Sequence, residues 1–162
     1  MTKFQEIVSF IRELYNEPDN FIPLHEPRFM GKEKDYVLDA IDSTFVSSVG
    51  AYVDKFEADI AKVAGTNYAV ATVNGTAALH AALNVAGVEL GDEVITQTMT
   101  FVATANAISY TGADPVFLDV DRDTLSLSPE KLERFIQNNT TLGEDHYLYN
   151  RTTGKRISAC LP

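Results

Sequence analysis

Apolar residues recur at helical spacing through the first third of the chain, then gather into short blocks bounded by turn residues. Phe4, Ile7, Ile11, Leu14 and Tyr15 predict an amphipathic helix over 3–16. Pro18, Pro23 and Pro27 predict an extended arm over 17–30, where proline restricts both itself and the preceding residue. Helical spacing resumes over 31–44 with Tyr36, Val37 and Ile41, and Val46 to Gly50 breaks it. A third helix is expected from about Tyr52 to Ala64, its buried stripe Val53, Phe56, Ile60 and Val63, with Gly65 as a C′ glycine. Asp54, Lys55 and Glu57 read as its solvated side.

From residue 67 the rhythm becomes strand and helix alternating. Strands are expected at 68–73, 93–97 and 115–120, and helices at 76–86 and 101–110, with turns at Gly87, Gly91-Asp92 and Gly112. The apolar strands read as buried on both faces, in a parallel or mixed sheet with helices packed on it. Ser128 and Pro129 open a further helix as N-cap and N1, with Leu132, Phe135 and Ile136 on its apolar side. Residues 147–149 and 157–161 flank a turn and read as a hairpin. The last apolar run stops at Pro162 with no helix after it, from which a C-terminal truncation is expected. The organisation expected is a helix and arm at 1–30, a partial α/β domain at 31–138, and a hairpin with an incomplete strand at 139–162.

Composition narrows the function. The 162 residues carry a net charge of −10, which argues against a phosphate-backbone binder; no nucleic-acid partner is expected. A bound anion would have to be held locally. Cys160 is the one cysteine, and His25, His80 and His146 lie far apart, so neither a disulfide nor a metal site is expected. No apolar run is long enough to span a bilayer, and charged residues interrupt any signal-peptide core, so the expectation is cytoplasmic, with no membrane partner.

The candidate chemistry sits at Asn74-Gly75-Thr76-Ala77. An apolar run, a tight glycine turn and a helix in that order aim unpaired helix amides at one point, where an anion is favoured. Taken alone, Gly75 could merely make the turn and Thr76 merely cap the helix. Four stretches in sequence change the odds: Asn74 to Leu79, Gly91 to Ile95, Thr100 to Asn106 and Pro115 to Asp121. Together they resemble the N-terminal part of the DegT/DnrJ/EryC1/StrS sugar aminotransferases, with the resemblance running from about Phe21 to the end. The segments 22–29 and 44–50 are most similar to the legionaminic-acid-type branch.

The resemblance implies an α/β fold, the N-terminal part of a fold-type I, aspartate-aminotransferase-like transferase, with a mixed sheet flanked by helices. It implies pyridoxal 5′-phosphate as cofactor, glutamate as amino donor and the 4-keto group of a nucleotide-linked 6-deoxy-hexosamine as acceptor, in a homodimer. Thr76 and Ala77, after Gly75, would hold the cofactor phosphate, and Phe101 would stack on the pyridine ring. Phe101 by itself would read as core packing at a strand-to-helix junction. Ser47 and Ser48 would lie near the sugar nucleotide, although a turn before a helix explains them as well. The family's Schiff-base lysine and the aspartate that pairs with the pyridine nitrogen match nothing here. Lys3, Lys32, Lys34, Lys55, Lys62, Lys131 and Lys155 all fall on expected solvated faces or the hairpin, so no catalytic residue is carried over and the chain alone is expected to be inactive. The alternatives are a sugar dehydratase of the same family, a stand-alone phosphate- or nucleotide-binding module, and a non-catalytic interaction protein. The module reading lacks a Gly-x-Gly-x-x-Gly or P-loop fingerprint.

Overall fold

A computed structural model describes residues 3–162; Met1 and Thr2, part of the expected N-terminal segment, lie outside it. The chain divides into two compact units, 1–54 and 55–162.

The first unit holds α1 (Lys3–Tyr15), α2 (Glu33–Asp42) and the start of α3 (Ala51–Ala64). Between α1 and α2 the backbone forms no helix or strand, as the prolines require. Arg12 steers the chain out of α1 by donating to the carbonyls of Glu17 (3.0 Å) and Asn20 (3.1 Å). No residue of α1 or α2 is buried.

Helix α3 ends as its sequence predicts. Gly65 adopts φ +68°, and the Thr66 amide returns to the Ala61 carbonyl at 3.0 Å, closing a Schellman turn. The expected buried stripe is not observed. Phe56, Ile60 and Val63 are exposed, and Ala61 is the buried residue of α3. Helical periodicity marks which side is apolar; it does not supply a surface to cover that side.

The second unit carries α4 (Gly75–Val85), β1 (Glu93–Gln97), α5 (Val102–Tyr110), β2 (Asp114–Leu118), α6 (Pro129–Asn139), β3 (Thr140–Leu142), β4 (Leu148–Asn150) and β5 (Arg156–Leu161). One five-stranded sheet runs β2-β1-β5-β4-β3, parallel across β2, β1 and β5 and antiparallel across the rest. The expected hairpin is therefore also a sheet member, because β5 pairs with both β4 and β1. Strand β3 was not anticipated from sequence.

Two strand expectations need correction. Residues 68–73 form no strand, and Tyr68, Val70 and Val73 stand exposed. Strand propensity needs a neighbour to receive its amides and carbonyls, and neither edge of this sheet reaches the segment. It is tethered instead by Glu57, whose carboxylate accepts from the Ala71 amide at 2.8 Å; Glu57 is thus half-buried and not simply solvated. The second correction is that only β1 is buried along most of its length; β2 is an edge strand, half-exposed.

The core gathers Leu83 of α4, Val88, Val94 of β1, Ala107 and Ile108 of α5, and Ala113, with Leu79, Ala159 and Leu161 packed around it. Polar groups lock β5 onto the head of β1. Arg156 makes a two-pronged pair with Asp92 (2.9 and 2.6 Å), and buried Glu93 accepts from Asn150 and Thr153, each at 2.8 Å. At the far end the Thr96 hydroxyl, fully buried, donates to the Leu161 carbonyl at 2.7 Å.

Candidate functional site

Helix α4 opens where its residues direct it. Asn74, in extended backbone, is the N-cap, and its side-chain oxygen accepts from the Ala77 amide at 2.9 Å. The capping role considered for Thr76 thus belongs to Asn74, two residues earlier. The Asn preference at N-caps carried that signal in the sequence. With Asn74 on Ala77 and the Ala78 amide on the Asn74 carbonyl, the Gly75 and Thr76 amides and the Thr76 hydroxyl have no partner among the described residues. These three donors sit at the positive end of an 11-residue helix. A Cβ built on Gly75 would meet nothing within 4 Å, so the turn opens onto free space.

Thr76, Ala77 and Asn74 line a shallow depression of about 400 Å³ together with His80 and Tyr110. His80, one turn below Thr76, meets the Tyr110 ring edge-on with centroids 5.9 Å apart. The sequence alone places neither ring at this site; His80 is weighed there only as a metal ligand. Their convergence depends on α4 packing against α5, which no local pattern announces.

Phe101 is the N-cap residue of α5 and is 79% exposed, so it is not part of the core. It follows the C-terminal end of β1, the side of an open α/β sheet on which ligands bind. Phe101 does not line the depression at Thr76. The Thr98 amide continues the ladder onto the Leu118 carbonyl (2.9 Å), and the Thr100 and Thr104 hydroxyls meet at 2.9 Å.

Ser47 and Ser48 belong to the exposed turn between α2 and α3, in the first unit. Ser47 lines a cavity of about 540 Å³ with Asp39, Phe45 and Tyr52 among others; Ser48 does not. Tyr52 donates to Asp39 at 2.8 Å, and that bond pushes the phenol above its ordinary pKa. Tyr36 packs obliquely on Tyr52 with centroids 5.6 Å apart.

The lysines do not resemble a buried nucleophile. Six are exposed and Lys155 is half-buried. Lys131 pairs with Asp119, Lys155 with Asp114 and Lys55 with Asp59. The hydrogen bond from Lys155 to Asp114 raises its pKa, the opposite of what a neutral amine requires. Among the described residues no cluster of three His, Cys, Asp or Glu could hold a metal, and no helix is long and apolar enough to cross a membrane.

A mixed sheet flanked by helices defines an α/β protein. Its place among known proteins is more specific. Residues 28–143 match the DegT/DnrJ/EryC1/StrS aminotransferase family, and the chain belongs to that family. It is 47% identical over 120 residues to the GDP-perosamine synthase of Escherichia coli O157:H7, covering 74% of this chain and 33% of that protein. The aminotransferase of Psychrobacter cryohalolentis superposes with a TM-score of 0.64 at 37% identity, over 71% of this chain and 29% of that one. The PLP form of Spr1654 from Streptococcus pneumoniae, described as a sugar aminotransferase, gives 0.62 at 30% identity, over 71% and 29%. The chain thus spans about a third of the length of the curated relatives it matches. The observed α/β fold is the N-terminal part of the fold these structures share, as the sequence predicts.

Proposed function

We propose that this chain supplies the phosphate-holding part of a full-length pyridoxal-phosphate-dependent enzyme. That enzyme moves an amino group, with glutamate as donor, to the 4-keto group of a nucleotide-linked 6-deoxy-hexosamine. The observation that carries the reading is the α4 terminus, with its free Gly75 and Thr76 amides and free Thr76 hydroxyl. A phosphate monoester fits it: three donors and a helix dipole meet a dianion, so local groups outweigh the chain's overall negative charge. The Ala77 amide joins the cradle only if Asn74 releases it. Similarity to a GDP-perosamine synthase supports a nucleotide sugar as the acceptor.

When bound, the cofactor supplies the electron sink that lets an amino group pass between two carbonyl carbons. Thr76 orients its phosphate by donating to one oxygen. Phe101 presents an exposed planar face suited to stacking on an aromatic ring and excluding water from one side of it. Ser47 and the cavity it lines serve the sugar nucleotide, with Ser48 beside it in the turn. A specific covalent attachment needs a neutral, desolvated amine, and no lysine here has that setting, so the chain alone is inactive. The full-length protein is a homodimer; monomeric sedimentation at micromolar concentration would argue against this.

The test is Thr76→Val in the full-length protein. The change keeps the shape and removes a donor to a charged acceptor, worth about 1.5–3 kcal/mol. Cofactor affinity should fall by about tenfold or more with the fold intact. An unchanged pyridoxal phosphate titration would remove Thr76 from the site.

A further inference from the structure

We infer that Gln97 is a positioning residue for Phe101, setting the ring through the loop that carries it. The inference rests on the reading of Phe101 as the cofactor's stacking partner. Gln97 is the last residue of β1, and its side chain is committed in two directions. Its amide nitrogen donates to the Met99 carbonyl at 2.7 Å, and its amide oxygen accepts from the Leu127 amide at 2.7 Å. One side chain thereby ties the 98–101 loop to the turn that follows β2.

That turn is a firm anchor. Leu127 is buried, and it forms a β-bridge with Val120. The Asp121 amide reaches the Ser126 carbonyl at 3.0 Å, and the Ser128 amide reaches the Asp119 carbonyl at 3.2 Å. The loop, by contrast, carries exposed Met99 and Phe101, so little apolar burial holds it in place. Its remaining ties are the Thr98 amide on the Leu118 carbonyl, the Thr104 amide on the Phe101 carbonyl at 3.0 Å, and the Thr100–Thr104 hydroxyl pair. Gln97 is the tie that fixes the loop's middle.

The chemistry demands an amide. The Met99 carbonyl needs a donor and the Leu127 amide needs an acceptor, both reached from one terminus. Glutamate at neutral pH accepts but cannot donate, and its charge would repel the Met99 oxygen. Leucine does neither and leaves the Leu127 amide unpaired. Phe101 follows Met99 by two residues, so releasing Met99 loosens the backbone leading into the ring, while the Phe101 carbonyl stays on the Thr104 amide. The consequence is a wider range of ring orientations and a weaker, less chiral contact with whatever stacks on it.

The experiment uses the full-length protein and pyridoxal phosphate. Affinity is read by titration, and the stack by the circular dichroism of the bound cofactor. Gln97→Leu should weaken binding by about threefold to tenfold, one to two ordinary hydrogen bonds, and reduce the cofactor's dichroic band. Gln97→Glu, which keeps the Leu127 bond, covers the case in which the leucine variant fails to fold; it should show the same band loss. Ser128→Ala is the control, since it weakens the same turn at the α6 cap without touching the loop. Combined with Phe101→Leu, the effect of Gln97→Leu should largely vanish, because there is no longer a ring to position. If Phe101→Leu alters affinity and dichroism while neither Gln97 variant does, the inference fails and the stacking role stands. If neither residue matters, both readings fail. If Ser128→Ala moves the band as much as Gln97→Leu, or if the double variant is additive, Gln97 is only a structural staple and the inference is overturned.

Discussion

Replacing Arg156 by methionine tests what holds β5 against β1. The Asp92 side chain is 8% exposed and that of Arg156 19%. Arg156 gives Asp92 two hydrogen bonds, a third at 3.3 Å to the Gly87 carbonyl, and lies 4.8 Å from the Tyr147 ring centroid. Burial pushes the Asp92 carboxyl up, but bonds from Arg156 and from the Glu89 amide outweigh it, leaving the group below its ordinary value. Without Arg156, the buried carboxylate loses its charged partner and keeps the Glu89 amide at 2.9 Å. Breaking a buried pair from one side costs about 3–5 kcal/mol. Arg156 is partly open to water, which can enter its place, so the lower end, about 3 kcal/mol, is expected. Urea unfolding followed by far-UV circular dichroism should show a midpoint about 1–2 M lower. Because the folded pKa of Asp92 is depressed, the pair's contribution is present above the unfolded value and lost as pH falls through the folded one. The gap between wild type and variant should therefore narrow below about pH 4. Adding Asp92→Asn to the variant should recover part of the loss. A midpoint shift under about 0.3 M, or a gap unchanged between neutral and acid pH, would refute the reasoning.

Two further substitutions probe the same unit. Gly112→Ala should destabilise the chain by about 1–3 kcal/mol, because Gly112 has φ +80° and a new Cβ would lie 2.5 Å from Leu90 Cδ1; thermal melting reads it. Asn74→Ala should cost about 1 kcal/mol of stability while leaving phosphate affinity undiminished, since it frees the Ala77 amide for the anion; isothermal titration with inorganic phosphate, alongside melting, separates the two effects.

Much of the helical framework is readable from local chemistry. The glycine turn into α4, the Gly65 stop of α3 and the Ser128-Pro129 start of α6 each follow from backbone preferences within a few residues. β1 lies where its apolar run predicts because it is central, with neighbours on both sides. Residues 68–73 have the same kind of sequence and no neighbour, so the same propensity yields no strand. The apolar stripe of α3 is likewise legible and still uncovered.

The site divides in the same way. Gly75, Thr76 and Ala77 are adjacent in sequence, and a helix terminus brings their donors together by local geometry alone; sequence therefore suffices to find them. His80 meets Tyr110 from 30 residues away, and Gln97 holds Leu127 at the same separation. Glu57 and Arg156 look like ordinary solvated charges until Ala71 and Asp92 are seen beside them. Partnerships of this kind arise from packing between elements, and a pattern with a period of two or 3.6 residues carries no information about which distant group a side chain will meet. The sequence determined the helices and the glycine turn into α4; tertiary structure decided which strands form and pair, which apolar faces are covered, and which side chain anchors the loop bearing Phe101.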